Sequence, residues 1–239
     1  MSATSALQLR SHPIHGAGVT HLAWFTAGVV IAFLIPFVFS SVLDLNHDLY
    51  YLVYFTAAAV FLATYAKTTR LDVVALFTRS WRWSLVLGVI ASAFLVFRIL
   101  SGENSTAHPN GLYFIFAIGW RGVLYGTIDA LLLTAFPMAV VYTIMNARLD
   151  SLMRRAGFAL FTLALVWMIT AAYHLGYEQF REDGVGGPEA GNTIISVPAI
   201  VTANPLGAVV AHAAMHVAAV THAYETDLYL PPQTFADGE

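Results

Sequence analysis

Three histidines, His212, His216 and His222, lie on one apolar segment, Pro205–Tyr224. His212 and His216 are four residues apart, so on a helix they stack on a single face. His174 and Glu178 repeat that spacing earlier in the chain. Imidazole and carboxylate groups in two such pairs are the donors of a site for zinc or another transition metal. The same spacing also serves histidines that merely hydrogen-bond across helices. The segment His212-Ala-Ala-Met-His216 lacks the glutamate that HExxH proteases use as general base. The chain has no GxSxG elbow, no P-loop and no GxGxxG. No basic groove points to nucleic acid.

A third polar set lies within Leu112–Met145. Arg121, Tyr125 and Asp129 follow at i, i+4 and i+8, which places them on one helix face. Ionisable groups in apolar spans are costly and face the bundle interior. Arg121 and Asp129 therefore read most simply as neutralising buried partners. The candidate partners of Arg121 are Asp129, two turns along its own helix, and Glu178. His12, His15, His21, His47 and His108 fall in polar flanks and read as solvated. His222, near an interface, reads the same way.

The elements that must position these groups are membrane helices. Of 239 residues, 58% are hydrophobic and only 10% charged; a soluble domain carries about 25% charged residues. The expected fold is an all-α, polytopic transmembrane bundle, one domain over 1–239. It has a polar head at 1–21 without a cleavable signal pattern, and a flexible cytoplasmic tail at 225–239. Six spans are expected: Leu22–Leu43, Leu49–Ala66, Trp83–Leu100, one within Leu112–Met145, Ala156–Tyr177 and Pro205–Tyr224. The fourth is too long for a straight crossing of a ~30 Å core, so it should tilt or kink near Gly119 or Pro137. Residues 193–203, apolar but broken by Pro198, suggest a re-entrant segment. The stretch 67–82 is either an interfacial helix or a basic loop.

Positive charge sets the orientation. Lys67, Arg70, Arg79 and Arg82 occupy one loop, and Arg148, Arg154 and Arg155 another. The alternate loops hold Asp44 and Asp48, Glu103, and Arg181 among Glu182, Asp183 and Glu189. With six spans, both termini are cytoplasmic in a multi-pass cell-membrane protein. At ~1.5 Å per residue, His174 and Glu178 then lie near the outer surface. Arg121 and His212 come next, His216 lies near mid-depth, and Asp129 and His222 are deepest. Arg121, His212 and His216 could share one cavity. Cysteine is absent, which excludes disulfides, thiolate metal sites and iron–sulfur clusters. Lys67 is the only lysine, at a helix end, which excludes a retinal Schiff base in the membrane centre.

Three patches together resemble the CPBP family of intramembrane proteases (CAAX proteases and bacteriocin-processing proteins, or Abi). Trp120-Arg121-Gly122 resembles the end of that family's EExxxR motif. Thr170-Ala-Ala-Tyr-His174 resembles its FxxxH, and His212-Ala-Ala-Met-His216 resembles its HxxxN or HxxxD. The two motif glutamates are replaced by Phe116 and Ala117, and the motif phenylalanine by Thr170. The resemblance implies an intramembrane hydrolase, metal- or glutamate-assisted, or a divergent inactive descendant. Its catalytic groups would be Glu178 as base, with His174, and Arg121 on an oxyanion. His174, Glu178, His212 and His216 would hold the metal. The competing expectations are a metal- or cofactor-binding, non-catalytic subunit of a membrane complex, and a small transporter or proton-conducting protein. The expected partners are the lipid bilayer and other membrane subunits.

Overall fold

The structure, a computed structural model, describes residues 17–225 and Pro231. The first sixteen residues of the polar head, with His12 and His15, and nearly all of the tail 225–239 lie outside the described residues. The described chain is helical, with no strand among these residues. In order it forms α1 (Ala17–Pro36, extended by a π-helical turn Phe37–Val42), α2 (His47–Thr69), α3 (Val73–Thr78) and α4 (Trp81–Gly102). A long helix α5 (Leu112–Ile144) follows, then α6 (Leu152–Leu175), α7 (Glu178–Asp183), α8 (Gly186–Thr202) and α9 (Leu206–His222).

Five of these, α1, α2, α4, α5 and α6, are long and apolar enough to cross a membrane, and α9 is a shorter apolar helix. Their outward faces carry the large apolar side chains that a bilayer tolerates and water does not, such as Val60, Ile90, Phe97, Leu160 and Phe161. Local signals start the helices where polar side chains can take the free N–H groups. Asn46 caps α2 through the Leu49 N–H at 3.1 Å, Asp72 caps α3 through Ala75 at 2.8 Å, and Ser151 caps α6 through Arg154 at 3.3 Å. The Asn204 carboxamide oxygen accepts the Leu206 N–H at 2.8 Å at the start of α9.

One end of the bundle is basic and the other acidic. At the basic end, Arg79 donates to the Tyr142 hydroxyl at 2.5 Å, and His21, buried rather than solvated, bonds the Tyr65 hydroxyl at 3.0 Å. At the acidic end, the Ser41 hydroxyl donates to the Gly176 carbonyl at 2.8 Å, and Tyr50 and Tyr177 share a 2.5 Å bond. The segment expected to be re-entrant is a continuous helix, α8. Seventeen residues at a ~1.5 Å rise span about 25 Å. It starts beside α7 at the acidic end. The chain beyond it reaches the basic end, where the Asn204 amide donates to the Phe77 carbonyl at 2.8 Å and also to that of Arg79. Pro198 sits inside α8 without ending it.

This changes the direction of α9. It leaves the basic end beside Ser84, whose hydroxyl accepts the Gly207 N–H at 2.8 Å. It finishes at the acidic end, where the Thr106 N–H donates to the His222 carbonyl at 3.0 Å. Residue 17 and residue 224 therefore lie at opposite ends of the bundle, whereas six spans place them at the same end. His222 lies beside the Glu103 carbonyl at 3.2 Å, at the end opposite to the expected one.

The irregular turns in α5 explain how 33 residues, about 50 Å of ideal helix, are accommodated. Two π-helical stretches, Ile118–Leu124 and Leu131–Ala135, bracket one α-helical segment, Tyr125–Ala130. They fall at Gly119 and just before Pro137, the two positions where a kink was expected. Such turns widen a helix locally and recur at functional sites.

Candidate metal centre

The segment between the two π turns carries Asp129 into the centre of the bundle. Opposite it, α9 runs antiparallel and unusually close. A Cβ at Gly126 would lie 2.7 Å from the Ala213 Cα and 2.8 Å from the His212 carbonyl oxygen, so no larger residue fits. Small residues at such crossings let helix backbones approach in a membrane. One turn below Gly126, Asp129 meets the His212/His216 face of α9.

The resulting cluster is buried. Asp129, His212 and His216 are 3%, 4% and 3% exposed. The Asp129 Oδ2 lies 3.5 Å from His212 Nε2 and 3.8 Å from His216 Nε2. One ligand atom from each residue fits within 4.8 Å of the others. Metal–ligand bonds of ~2.0–2.1 Å in tetrahedral geometry put neighbouring ligand atoms ~3.3 Å apart, a little shorter than the 3.5 and 3.8 Å from Asp129 Oδ2 to the two imidazoles. The two imidazoles stack, with centroids 4.9 Å apart, and His216 meets the Tyr125 ring edge-on at 4.6 Å.

Hydrogen bonding leaves this cluster incomplete. His212 Nδ1 and both nitrogens of His216 are buried without a hydrogen-bond partner. An unmet buried polar atom costs about 1–3 kcal/mol, and three in one place are unusual in a native core. The other carboxylate oxygen is satisfied: Asp129 Oδ1 accepts the Tyr54 hydroxyl at 2.5 Å. Such a bond orients a ligand from behind. The Asp129 Oδ2 and one nitrogen from each imidazole together could hold a metal ion.

Behind Tyr54 lies a layer of buried phenols. The Tyr173 hydroxyl bonds those of Tyr125 at 2.8 Å, Tyr50 at 3.2 Å and Tyr177 at 2.7 Å. Tyr54 stacks on Tyr50 with centroids 6.1 Å apart. Sequence reasoning missed this layer, although Tyr50 and Tyr54, and Tyr173 and Tyr177, each stand at i,i+4 like the histidines. Burial raises the Tyr177 hydroxyl well above the ordinary phenol range, so Tyr177 stays a neutral donor and acceptor.

A cavity of about 290 Å³ borders the cluster between α4, α8 and α9. His212 belongs to both, and His174 lines the cavity from α6. Thr170 offers a carbonyl to His174 Nδ1 at 2.8 Å. A carbonyl can only accept, so Nδ1 carries the proton and Nε2 of a neutral ring has a free lone pair.

The other expected site residues go elsewhere. Glu178 does not share a helix face with His174, because α6 ends at Leu175. A Cβ at Gly176 would lie 2.6 Å from the Phe33 carbonyl oxygen. Tyr177 is extended, and Glu178 starts α7 with an exposed side chain. The four-residue set His174, Glu178, His212 and His216 therefore does not assemble. The group that assembles among the described residues is Asp129, His212 and His216. Asp129, expected at a greater depth, replaces His174 and Glu178 because α9 runs the other way.

Arg121 is likewise outside the cluster and does not line the cavity. It pairs with Asp48, from Nε to Oδ1 at 3.0 Å and from Nη2 to Oδ2 at 3.1 Å. Tyr113 accepts from Arg121 at 2.8 Å and donates to Asp48 at 2.5 Å. The guanidinium also lies 5.2 Å from the Tyr224 ring centroid. Arg121 thus has the carboxylate partner expected of a buried guanidinium, but it is neither Asp129 nor Glu178. Asp48 was legible only as a loop charge. Compared with known proteins, the chain matches no family model, no curated protein and no solved structure.

Proposed function

We propose that this chain is an integral membrane protein that binds one transition-metal ion, zinc or a similar metal, through Asp129, His212 and His216. The observation that carries the reading is the buried cluster in which the Nε2 atoms of both imidazoles face Asp129 Oδ2, with His216 Nε2 lacking a hydrogen-bond partner. Two imidazoles and one carboxylate are a donor set suited to divalent metals that keep further coordination positions for water or substrate. The adjoining cavity supplies room for such a ligand. Tyr54 holds Asp129, so the carboxylate presents Oδ2 to the ion.

Catalysis by metal-assisted hydrolysis, as the intramembrane-protease resemblance implies, has one supporting observation: His174 and His212 line the same cavity. In that reading His174 is the proton-carrying group, and neither Glu178 nor Arg121 takes part. A non-catalytic metal-binding subunit uses the same three ligands without His174. The basic end faces the cytoplasm, because Arg and Lys gather there, and the acidic end faces outward.

The test is elemental analysis of full-length protein purified in detergent. About one zinc, iron or other transition metal per chain is expected. Asp129→Asn, His212→Ala and His216→Ala should each lose it, while Glu178→Gln and His174→Ala keep it. Retention of metal in all three ligand variants, or no metal uptake by folded wild type, would remove this function.

A further inference from the structure

The cavity beside the metal centre has a polarity gradient that selects a class of ligand. Its walls are mainly apolar, with Leu95, Leu133, Ile195 and Met215 among them. Its inner wall includes His212, 4% exposed, whose Nδ1 has no partner. Its rim towards the acidic end holds Arg98 and the first turn of α8, Gly187 and Pro188.

Two positive features meet at that rim. Arg98 has no ion pair or hydrogen bond with the described residues, and its side chain is exposed one turn before the end of α4. The first turn of α8 has no side-chain cap. The N–H groups of Gly186 and Gly187 in this turn (Pro188 has none) and the helix dipole attract anions. Glu189 lies in this turn but does not line the cavity. Small-molecule sites usually enclose about 300–1,000 Å³. At about 290 Å³ the cavity holds one slender chain and not the two chains of a bilayer lipid.

We propose that the cavity binds a single-chain amphiphile with an anionic head, such as a fatty carboxylate. Arg98 and the α8 N-terminus hold the head at the rim, and the apolar walls guide the chain inward to His212. The inference deepens the metal-site reading by naming the substrate class of that site.

The experiment measures binding of radiolabelled laurate to full-length protein in phosphatidylcholine nanodiscs, with dodecanol as the uncharged probe of equal chain length. Metal content is read on the same samples. Laurate should bind once per chain and more tightly than dodecanol. Arg98→Gln should weaken laurate by about tenfold, the size of one charge-assisted hydrogen bond, without altering dodecanol. Met215→Trp should block both probes while the metal stays. Equal affinity for laurate and dodecanol, or an unchanged laurate affinity in Arg98→Gln, would overturn the head-group assignment. Displacement of laurate by phosphatidylglycerol added to the nanodisc would overturn the single-chain assignment. Laurate binding to metal-free protein would leave this proposal standing while the metal reading fails, and metal without laurate binding would do the reverse.

Discussion

The Tyr54 hydroxyl donates a 2.5 Å hydrogen bond to Asp129 Oδ1, and this turns Oδ2 towards His212 and His216 of α9. The two residues stand on different helices, α2 and α5, so the bond fixes the carboxylate from outside its own backbone. Tyr54→Phe keeps the ring and its packing but frees the carboxylate to rotate. Metal affinity should fall by about tenfold to a hundredfold, the usual effect of losing a bond that orients a ligand. Competition with a chromophoric chelator measures it. An affinity equal to wild type would mean that Asp129 is held by packing alone.

Five of the six expected spans coincide with observed helices to within a few residues, and the sixth with α9, because a bilayer demands apolar length and little else. The all-α bundle follows from the same constraint. What the sequence hid was α8. Its start, Gly186-Gly187-Pro188, and its internal Pro198 read as loop punctuation, yet neighbouring helices can support such residues in a membrane. Missing one helix that runs from the acidic end to the basic end reverses every depth assigned to α9. That is why His212 and His216 were legible as a site while their partner Asp129 was read as too deep. Glu178 failed for a local reason: i,i+4 spacing places residues on one face only while the helix continues, and Gly176 ends it against α1. The Arg121–Asp48 pair was out of reach because contacts between distant segments leave no spacing signal.

The opposite placement of residues 17 and 224 is testable from outside the protein. With the basic end in the cytoplasm, a cysteine introduced at Tyr224 should react with a membrane-impermeant maleimide in intact cells. One introduced at Arg148 should react only after lysis. The natural chain has no cysteine to confuse the labelling. Identical accessibility of the two positions would reject the opposite placement of the two residues.

Arg121→Met strands Asp48, which is partly buried beside Tyr113. Hydrogen bonds to charged groups contribute about 1.5–3 kcal/mol, and a loss of that order is expected in thermal or denaturant unfolding in detergent. Adding Asp48→Asn should restore part of it, since the stranded charge is then gone. Metal content should not change in either variant, because neither residue touches the cluster. Metal loss in Arg121→Met at full folding would tie the pair to the site instead.

The close crossing at Gly126 offers the sharpest separation of fold from site. A Cβ there meets the Ala213 Cα and the His212 carbonyl, both backbone atoms that cannot rotate away. Gly126→Ala must push α9 off α5, and the displacement carries His212 and His216 away from Asp129. Gly119, in the first π turn of the same helix, has nothing within 4 Å of an added Cβ, so Gly119→Ala serves as the matched control. The control should keep wild-type metal content and a melting temperature close to wild type. Gly126→Ala should lose stability by about 1–3 kcal/mol, typical of overpacking, and lose metal out of proportion to the fraction unfolded. The ratio of bound metal to folded protein, from elemental analysis beside circular dichroism on the same sample, decides the matter. If that ratio stays at the wild-type value while stability falls, the crossing supports the bundle but does not set the distance between Asp129 and the histidines.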